Sequence, residues 1–399
     1  MGFERARGLT LVELMVAITV ALILLAAVIQ LFVGNKQAYR LQEGSAGLNE
    51  NSRFARQQLE YALRMAGHWG GATPQDTQPA PVGNIGSLGC PGAPVYPDGS
   101  GTLVGIEGFD ATTASGAGTS STAPPVDCAL GEAGYRAGTD VLLVRYAGAE
   151  RLCLPGQAPV SGGADLTESG CISGLEPGEG TSPLLVRSRI GAGKSEIFRA
   201  SDVDALYGAS AKTGNPALVF EPSGDEEAGG ANPDLTANHP FSYEVFFVTE
   251  CGTRQGDIPI DCSTLPNPTP TLARLRLVGD SLTAEDLVEG VETLELLYGI
   301  DDDGDFVPDR FLGASAIRSQ DTLGEDAGAA TTGLWNRVTA VRVGMLIRNP
   351  QRDVALAKVA QSTYRLPGRE ITVLDADRQF PRKAVVFTVQ ARNTTRNQR

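Results

Sequence analysis

Arg7-Gly8-Leu9-Thr10-Leu11-Val12-Glu13-Leu14-Met15 is the stretch whose reading decides the fold. A polar leader carrying Arg5 and Arg7 precedes Leu9. An apolar run then covers 9–33, interrupted by Thr10, Glu13, Thr19 and Gln30. A helix needs roughly 20 apolar residues to cross a bilayer, and this run is long enough. The two arginines just before it predict an N-terminus held inside and a body outside. A secretory signal would have an apolar region of only about 7–15 residues followed by a small-residue cleavage site. Gly34-Asn35-Lys36 supplies no such site. A plain signal anchor accounts for the length but leaves Glu13 unexplained. A carboxylate costs about 2.5–3.5 kcal/mol at the centre of a membrane helix and less near its end, so it is retained where it has a partner.

The helix is expected to outrun the membrane. No proline occurs over 39–66, and apolar residues recur at Leu41, Leu48, Ala55, Leu59, Ala62 and Ala66, which share one face of a helix. Gly67, Gly70 and Gly71 then end it. His68 and Trp69 are expected to pack at that end.

Bulk composition narrows the rest. With 42% apolar residues in 399, the chain can build a core, while 6% aromatics, 48 glycines and 24 prolines favour strands and loops over a bundle. A net charge of −14 is the wrong sign for neutralising phosphates, which excludes nucleic acid as the main partner. It suits a solubilising surface, divalent cations or basic proteins. The cysteines, Cys90, Cys128, Cys153, Cys171, Cys251 and Cys262, form no CxxC pair, and His68 and His239 are the only histidines. That reads as disulfides in an oxidising compartment rather than zinc. The connectivity stays open, with Cys251–Cys262 the pair most easily closed across a short loop.

Strand patterns strengthen toward the C-terminus. After a strand candidate at 140–146, flanked by low-complexity stretches at 110–125 and 155–183, period-2 alternation sets in. Phe241, Tyr243, Val245 and Phe247 alternate with Ser242 and Glu244, and Leu275 and Leu277 with Arg274 and Arg276. Val341, Val343, Met345 and Ile347 oppose Arg342 and Gly344. Val385, Phe387, Val389 and Ala391 alternate with Thr388, Gln390 and Arg392. Such strands are half-buried and antiparallel, and a long amphipathic helix needs such a sheet to cover its apolar face. The expected class is α+β: a long N-terminal helix packed on an antiparallel sheet, with large loop and strand insertions.

One loop has the chemistry of a cation site. In Asp301-Asp302-Asp303-Gly304-Asp305-Phe306-Val307-Pro308-Asp309, the carboxylates of Asp301, Asp303, Asp305 and Asp309 occupy positions 1, 3, 5 and 9 of a calcium loop. The carbonyl of Val307 would fill position 7. Phe306 stands where glycine is usual and Leu312 where a bidentate glutamate is usual, so any affinity belongs in the range of about 10⁻⁴–10⁻³ M. An exposed acidic turn is the alternative. Gly191-Ala192-Gly193-Lys194-Ser195 lacks the first glycine of a phosphate loop, which would fall at Ser188. With no G-x-S-x-G elbow and two histidines, no enzyme is expected.

The segment Arg7–Met15 resembles the class III leader of type IV pilins and pseudopilins. The resemblance implies cleavage after Gly8 by a prepilin peptidase, methylation of Leu9 as the new terminus, and a Glu13 carboxylate that neutralises the N-terminal ammonium of a neighbouring subunit. The stretches Leu48-Asn49-Glu50-Asn51-Ser52-Arg53-Phe54-Ala55 and Leu63-Arg64-Met65-Ala66-Gly67-His68-Trp69-Gly70 resemble the PilW-type minor pilins, as do Val338-Thr339-Ala340-Val341-Arg342-Val343 and Val389-Gln390-Ala391-Arg392-Asn393. PilW-like proteins carry a similar Asp-rich loop. The implied organisation is a cleaved leader (1–8), a transmembrane and polymerisation helix (9–34), its amphipathic half (35–70), a loop-rich periplasmic insert with some strands (71–240), and an antiparallel sheet region with the Asp-rich loop (241–399). The implied fold is the type IV pilin fold. The implied role is a minor pilin in pilus initiation or the tip complex. Its partners would be other minor pilins, the major pilin and a tip adhesin; no cofactor is required, and calcium is the one candidate ion, for the Asp-rich loop. It would wait in the inner membrane before moving to the cell surface. A minor pseudopilin of type II secretion and a signal-anchored periplasmic binding module are the alternatives.

Overall fold

The computed structural model describes residues 10–70, 77–79, 104–111, 130–131, 133–149, 152–153, 172–174, 184–189, 195–199, 236–252, 254–255, 258–259, 261–265, 267–278, 281–321, 333–352 and 360–395. It separates into two compact units, Met1–Glu50 and Asn51–Arg399. Helix α1 (Leu11–Met65) runs through both. It has no proline to break it, and Gly34 and Gly47 have open space around them, so they cost helix propensity without serving a packing need. The helix ends as its glycines foretold. Gly67 takes φ 71° and Gly70 φ 65°, conformations that suit a residue without Cβ. The Asn393 side-chain amide donates to the terminal carbonyl of Arg64 at 2.8 Å, and Gly67 N–H donates to Arg145 O at 3.0 Å.

The first part of the second unit holds strands β1 (Thr77–Pro79), β2 (Ile106–Phe109), β3 (Val141–Ala147), β4 (Leu152–Cys153), β5 (Ile172–Gly174), β6 (Leu184–Arg189), β7 (Ser195–Arg199) and β8 (Thr236–Thr249). Next come β9 (Arg254–Gln255), β10 (Ile258–Pro259), β11 (Thr271–Val278), β12 (Ser281–Glu289), β13 (Val291–Ile300) and β14 (Arg310–Leu312). Helix α2 (Ala314–Asp321), β15 (Val338–Arg348), β16 (Thr363–Leu366), β17 (Arg369–Thr372), β18 (Arg382–Gln390) and the short α3 (Arg392–Thr395) complete it. The larger sheet runs β1-β7-β6-β8-β11-β12, with β3 also paired to β8 and β2 to β3. The long β8 makes this possible: its N-terminal part pairs with β6 and the following part with β3 along the same edge. The smaller sheet runs β14-β13-β15-β18 and is antiparallel throughout.

The predicted alternation is present, and β18 is half-buried as expected, with Phe387, Val389 and Ala391 inside and Thr388 and Gln390 outside, but β8 and β15 are buried on both faces. Phe241, Tyr243, Val245 and Phe247 join Trp69, Val141, Leu143, Ala273 and Leu275 in one core. Their neighbours Phe246 and Val248, with Leu142 and Leu272 beside them, are buried as well. A second layer covers that face: the Tyr298 hydroxyl of β13 lies only 1.8 Å from where a Cβ on Gly108 would stand. The same holds in the smaller sheet. Val341, Val343, Met345 and Ile347 are buried as expected, yet so is Leu346, because the β16–β17 hairpin packs Tyr364, Leu366 and Val373 over it. Gly344 makes room for the hairpin, since a Cβ there would meet Pro367 at 2.3 Å.

The body-side part of α1 buries Ala55, Leu59, Ala62, Leu63 and Ala66 completely. Polar contacts set its register. Asn51 donates to Glu289 O at 3.0 Å, Lys383 Nζ to Ser52 Oγ at 3.4 Å, and Arg56 lies 5.2 Å over the Phe387 ring of β18. Trp69 stacks on Phe241 with centroids 6.4 Å apart, so the helix end is a packing device, and His68 meets His239 edge-on beside it.

Candidate functional site

Two segments carry the candidate chemistry. In the first unit, every large apolar side chain from Leu11 to Val33 is exposed, and the most apolar 18-residue window has a mean hydropathy of 2.8. Water does not tolerate such a surface; lipid or other apolar helices must cover it. Glu13 sits in the first turn. Its Oε2 accepts from Thr10 N–H and from the Thr10 hydroxyl, both at 3.0 Å, and Glu13 N–H donates to Thr10 Oγ1 at 3.3 Å. This is a reciprocal capping box, and it satisfies helix-end donors that would otherwise face the apolar phase. Sequence reading singled out Glu13 and passed over Thr10 as its partner, although the T-x-x-E spacing was there to be seen. Gly8 and Leu9 lie outside the described residues.

The second segment leaves β13 into the Asp-rich loop. Asp301 is completely buried. Its two oxygens accept from Gly304 N–H at 2.6 Å and Phe306 N–H at 2.9 Å, curling the chain back on itself. Ligand oxygens of Asp301, Asp303 and Asp309 lie within 4.8 Å of one another. Asp305 is not in that group; its Oδ1 instead accepts from Val307 N–H at 2.8 Å. Asp302 turns away and pairs with Arg310 at 2.7 Å and Arg337 at 3.8 Å. Phe306 takes φ 70°, and among the described residues it is the one non-glycine with positive φ. Position 6 therefore has the left-handed backbone that glycine usually supplies in calcium loops, at a strain cost of about 1–2 kcal/mol. Three converging carboxylates and this curl fit a hard cation; the carbonyl of Val307 and the carboxylate of Asp305 are not brought into the cluster by any contact described.

Cys251 and Cys262 form a disulfide with Cα atoms 5.7 Å apart. Cys90, Cys128 and Cys171 lie outside the described residues. Cys153 ends β4, of which only the backbone is described. Of the Gly191–Ser195 segment only Ser195 is described, at the start of β7.

The exposed apolar helix opening on a capped carboxylate, continuous with a helix packed on antiparallel sheet, defines a pilin-like class of membrane-anchored subunit. Residues 5–29 match the prokaryotic N-terminal methylation motif, the prepilin leader signature. Residues 245–393, which span β11 to β18 with most of β8's C-terminal half, match the family described as Type IV Pilus-assembly protein W. Together the two matches support a type IV pilus-related pilin, and the resemblance to the PilW family is borne out by the match across the C-terminal strands. Both matches point to a structural rather than an enzymatic subunit. The stretch from Leu48 to Gly70, which also suggested PilW, lies outside both. Neither a curated protein nor a solved structure matches the chain.

Proposed function

We propose that this chain is a minor pilin that takes part in starting pilus assembly and in the tip complex. The observation that carries the reading is the joining of a methylation-motif helix to a PilW-type body in one chain. Beyond the matched residues the body also carries the body-side part of α1, strands β1 to β7 and the first part of β8. A body of this elaboration exceeds what a shaft subunit needs for packing, which favours the end of a fibre. In this reading prepilin peptidase cuts after Gly8 and Leu9 is methylated. The exposed half of α1 then moves from the inner membrane into the helix bundle shared with other minor pilins and the major pilin. There the Glu13 carboxylate exchanges its Thr10 partners for the ammonium of a neighbour, and the body, outside the membrane, faces a tip adhesin.

The Asp-rich loop takes calcium in the same reading, held by Asp301, Asp303 and Asp309 and stabilising the turn after β13. Calorimetry with calcium should show weak binding, lost in Asp303→Ala; absence of calcium-dependent heat reduces the loop to an acidic turn. Gene deletion tests the main reading. Loss of surface pili and twitching is expected, whereas loss of enzyme secretion with pili intact would assign the chain to a type II machine.

A further inference from the structure

Where the two sheets and the hairpin meet, the body has a cleft of about 400 Å³, open to the surface, whose walls carry Asp110, Asp140, Glu295 and Arg369. Three carboxylates thus share this space with one guanidinium. Two of the three are engaged in building the walls. Asp110, just after β2, caps α2, accepting from the N–H groups of Ala314 and Ser315 at 2.8 Å each. Asp140, just before β3, takes Ala111 N–H at 2.8 Å on one oxygen and Leu296 N–H at 2.7 Å on the other. Glu295, on β13, differs. It is only 6% exposed, and its Oε1 accepts both from the Thr293 hydroxyl at 3.0 Å and from Arg369 at 2.9 Å. Its Oε2 accepts from no group among the described residues. A carboxylate oxygen on so buried a side chain is costly to leave without a donor, and the open cleft is where a donor can reach it.

We infer that the cleft receives an arginine side chain from the surface of a partner protein, with Glu295 Oε2 as its acceptor. The inference does not depend on the pilin reading. Charge gives the sign of the guest: three carboxylates face one guanidinium, in a chain whose net charge is −14. A small metal ion does not suit the walls, because among the described residues the carboxylate oxygens that converge are those of Asp301, Asp303 and Asp309. A guanidinium does suit them. Its donors form a broad planar fork that can meet Glu295 Oε2 while lying in the field of Asp110 and Asp140, whereas an ammonium is a compact point charge.

The shape of the cleft decides between a free small molecule and a side chain on a protein. Pockets for free ligands bury most of the ligand surface, and this one is open. Gly138, Gly313 and Gly368 line it without side chains, and the space beside Gly138 is empty, so a partner's main chain can approach the rim closely. Arg369 already supplies part of what the guest would bring: its Nη1 donates to Glu295 Oε1 and, at 2.7 Å, to Gly138 O. It occupies one oxygen of Glu295 and leaves the other for the guest.

Saturation-transfer NMR with the peptide acetyl-Gly-Arg-Gly-amide and the full-length protein in detergent tests this. The peptide should bind saturably, and acetyl-Gly-Gln-Gly-amide should not. Glu295→Gln should weaken binding by about tenfold or more, the loss of one charged hydrogen bond. Arg369→Gln removes the resident cation, while the hairpin keeps its apolar seat on Leu346 through Tyr364 and Leu366. Binding should tighten in that variant, a gain that a merely structural role for the Glu295–Arg369 pair does not produce, and it carries the test if Glu295→Gln fails to fold. Asp303→Ala, in the separate Asp-rich loop, should change nothing. No binding of the arginine peptide, or equal binding of the glutamine peptide, overturns the inference. So does an equal loss in Asp303→Ala, which would mean attraction to the acidic chain as a whole. Agmatine binding as tightly as the peptide would make the guest a free amine and overturn the partner side chain.

Discussion

Helix α1 is one continuous element living in two environments. Over 11–33 it is apolar on all sides and exposed throughout. Over 51–66 the aliphatic residues Ala55, Leu59, Ala62, Leu63 and Ala66 share one face and vanish into the body, while Arg53, Phe54, Arg56, Tyr61 and Arg64 stay outside. The difference teaches what each half is for. A helix apolar all round has no preferred side and is solved only by lipid or by a ring of similar helices. A one-sided helix is solved by its own sheet.

The comparison can be broken by exchanging what each half depends on. The largest effect is expected for Glu13→Leu, which should leave the melting temperature of the body unchanged and abolish recovery of the subunit in sheared fibres. Leu59→Ala should do the reverse to folding, costing about 2–5 kcal/mol by denaturant titration, whereas Leu25→Ala should leave body stability untouched. If both leucines cost the same, the two halves do not have different partners. Within the body, Cys251→Ser with Cys262→Ser should cost about 3 kcal/mol, the contribution of closing a loop of this size, and a reductant should reproduce it on the wild-type chain. The smallest effect is a gain. Phe306→Gly relieves the left-handed backbone and should raise stability by about 1 kcal/mol, with calcium binding by calorimetry unchanged or tighter.

Much of this was legible because it is local. The helix, its glycine stops at Gly67 and Gly70, the strand at 140–146 that appears as β3 (Val141–Ala147), and the alternation along β8, β15 and β18 are all patterns of neighbouring residues. The Asp301, Asp303 and Asp309 cluster was legible for the same reason. What escaped was non-local. Nothing around Leu346 announces that a hairpin some twenty residues later will cover it, so strands buried on both faces read as half-buried. Nothing around Asp140 announces Leu296, whose N–H reaches it from β13 at 2.7 Å. Thr10 escaped for another reason: its spacing to Glu13 was visible, but Glu13 was read only as waiting for a partner in another subunit, not as already holding one in its own.

The division of α1 into an assembly half and a folding half rests on a mature chain that begins at Leu9. Mass spectrometry of the N-terminal peptide from the fully processed protein is the most direct test. The account predicts a peptide that starts at Leu9 with a methylated α-amine and retains the whole apolar run. An unprocessed N-terminus, or one beginning beyond Val33, would mean that the apolar half is a simple anchor or a discarded signal, and would contradict it.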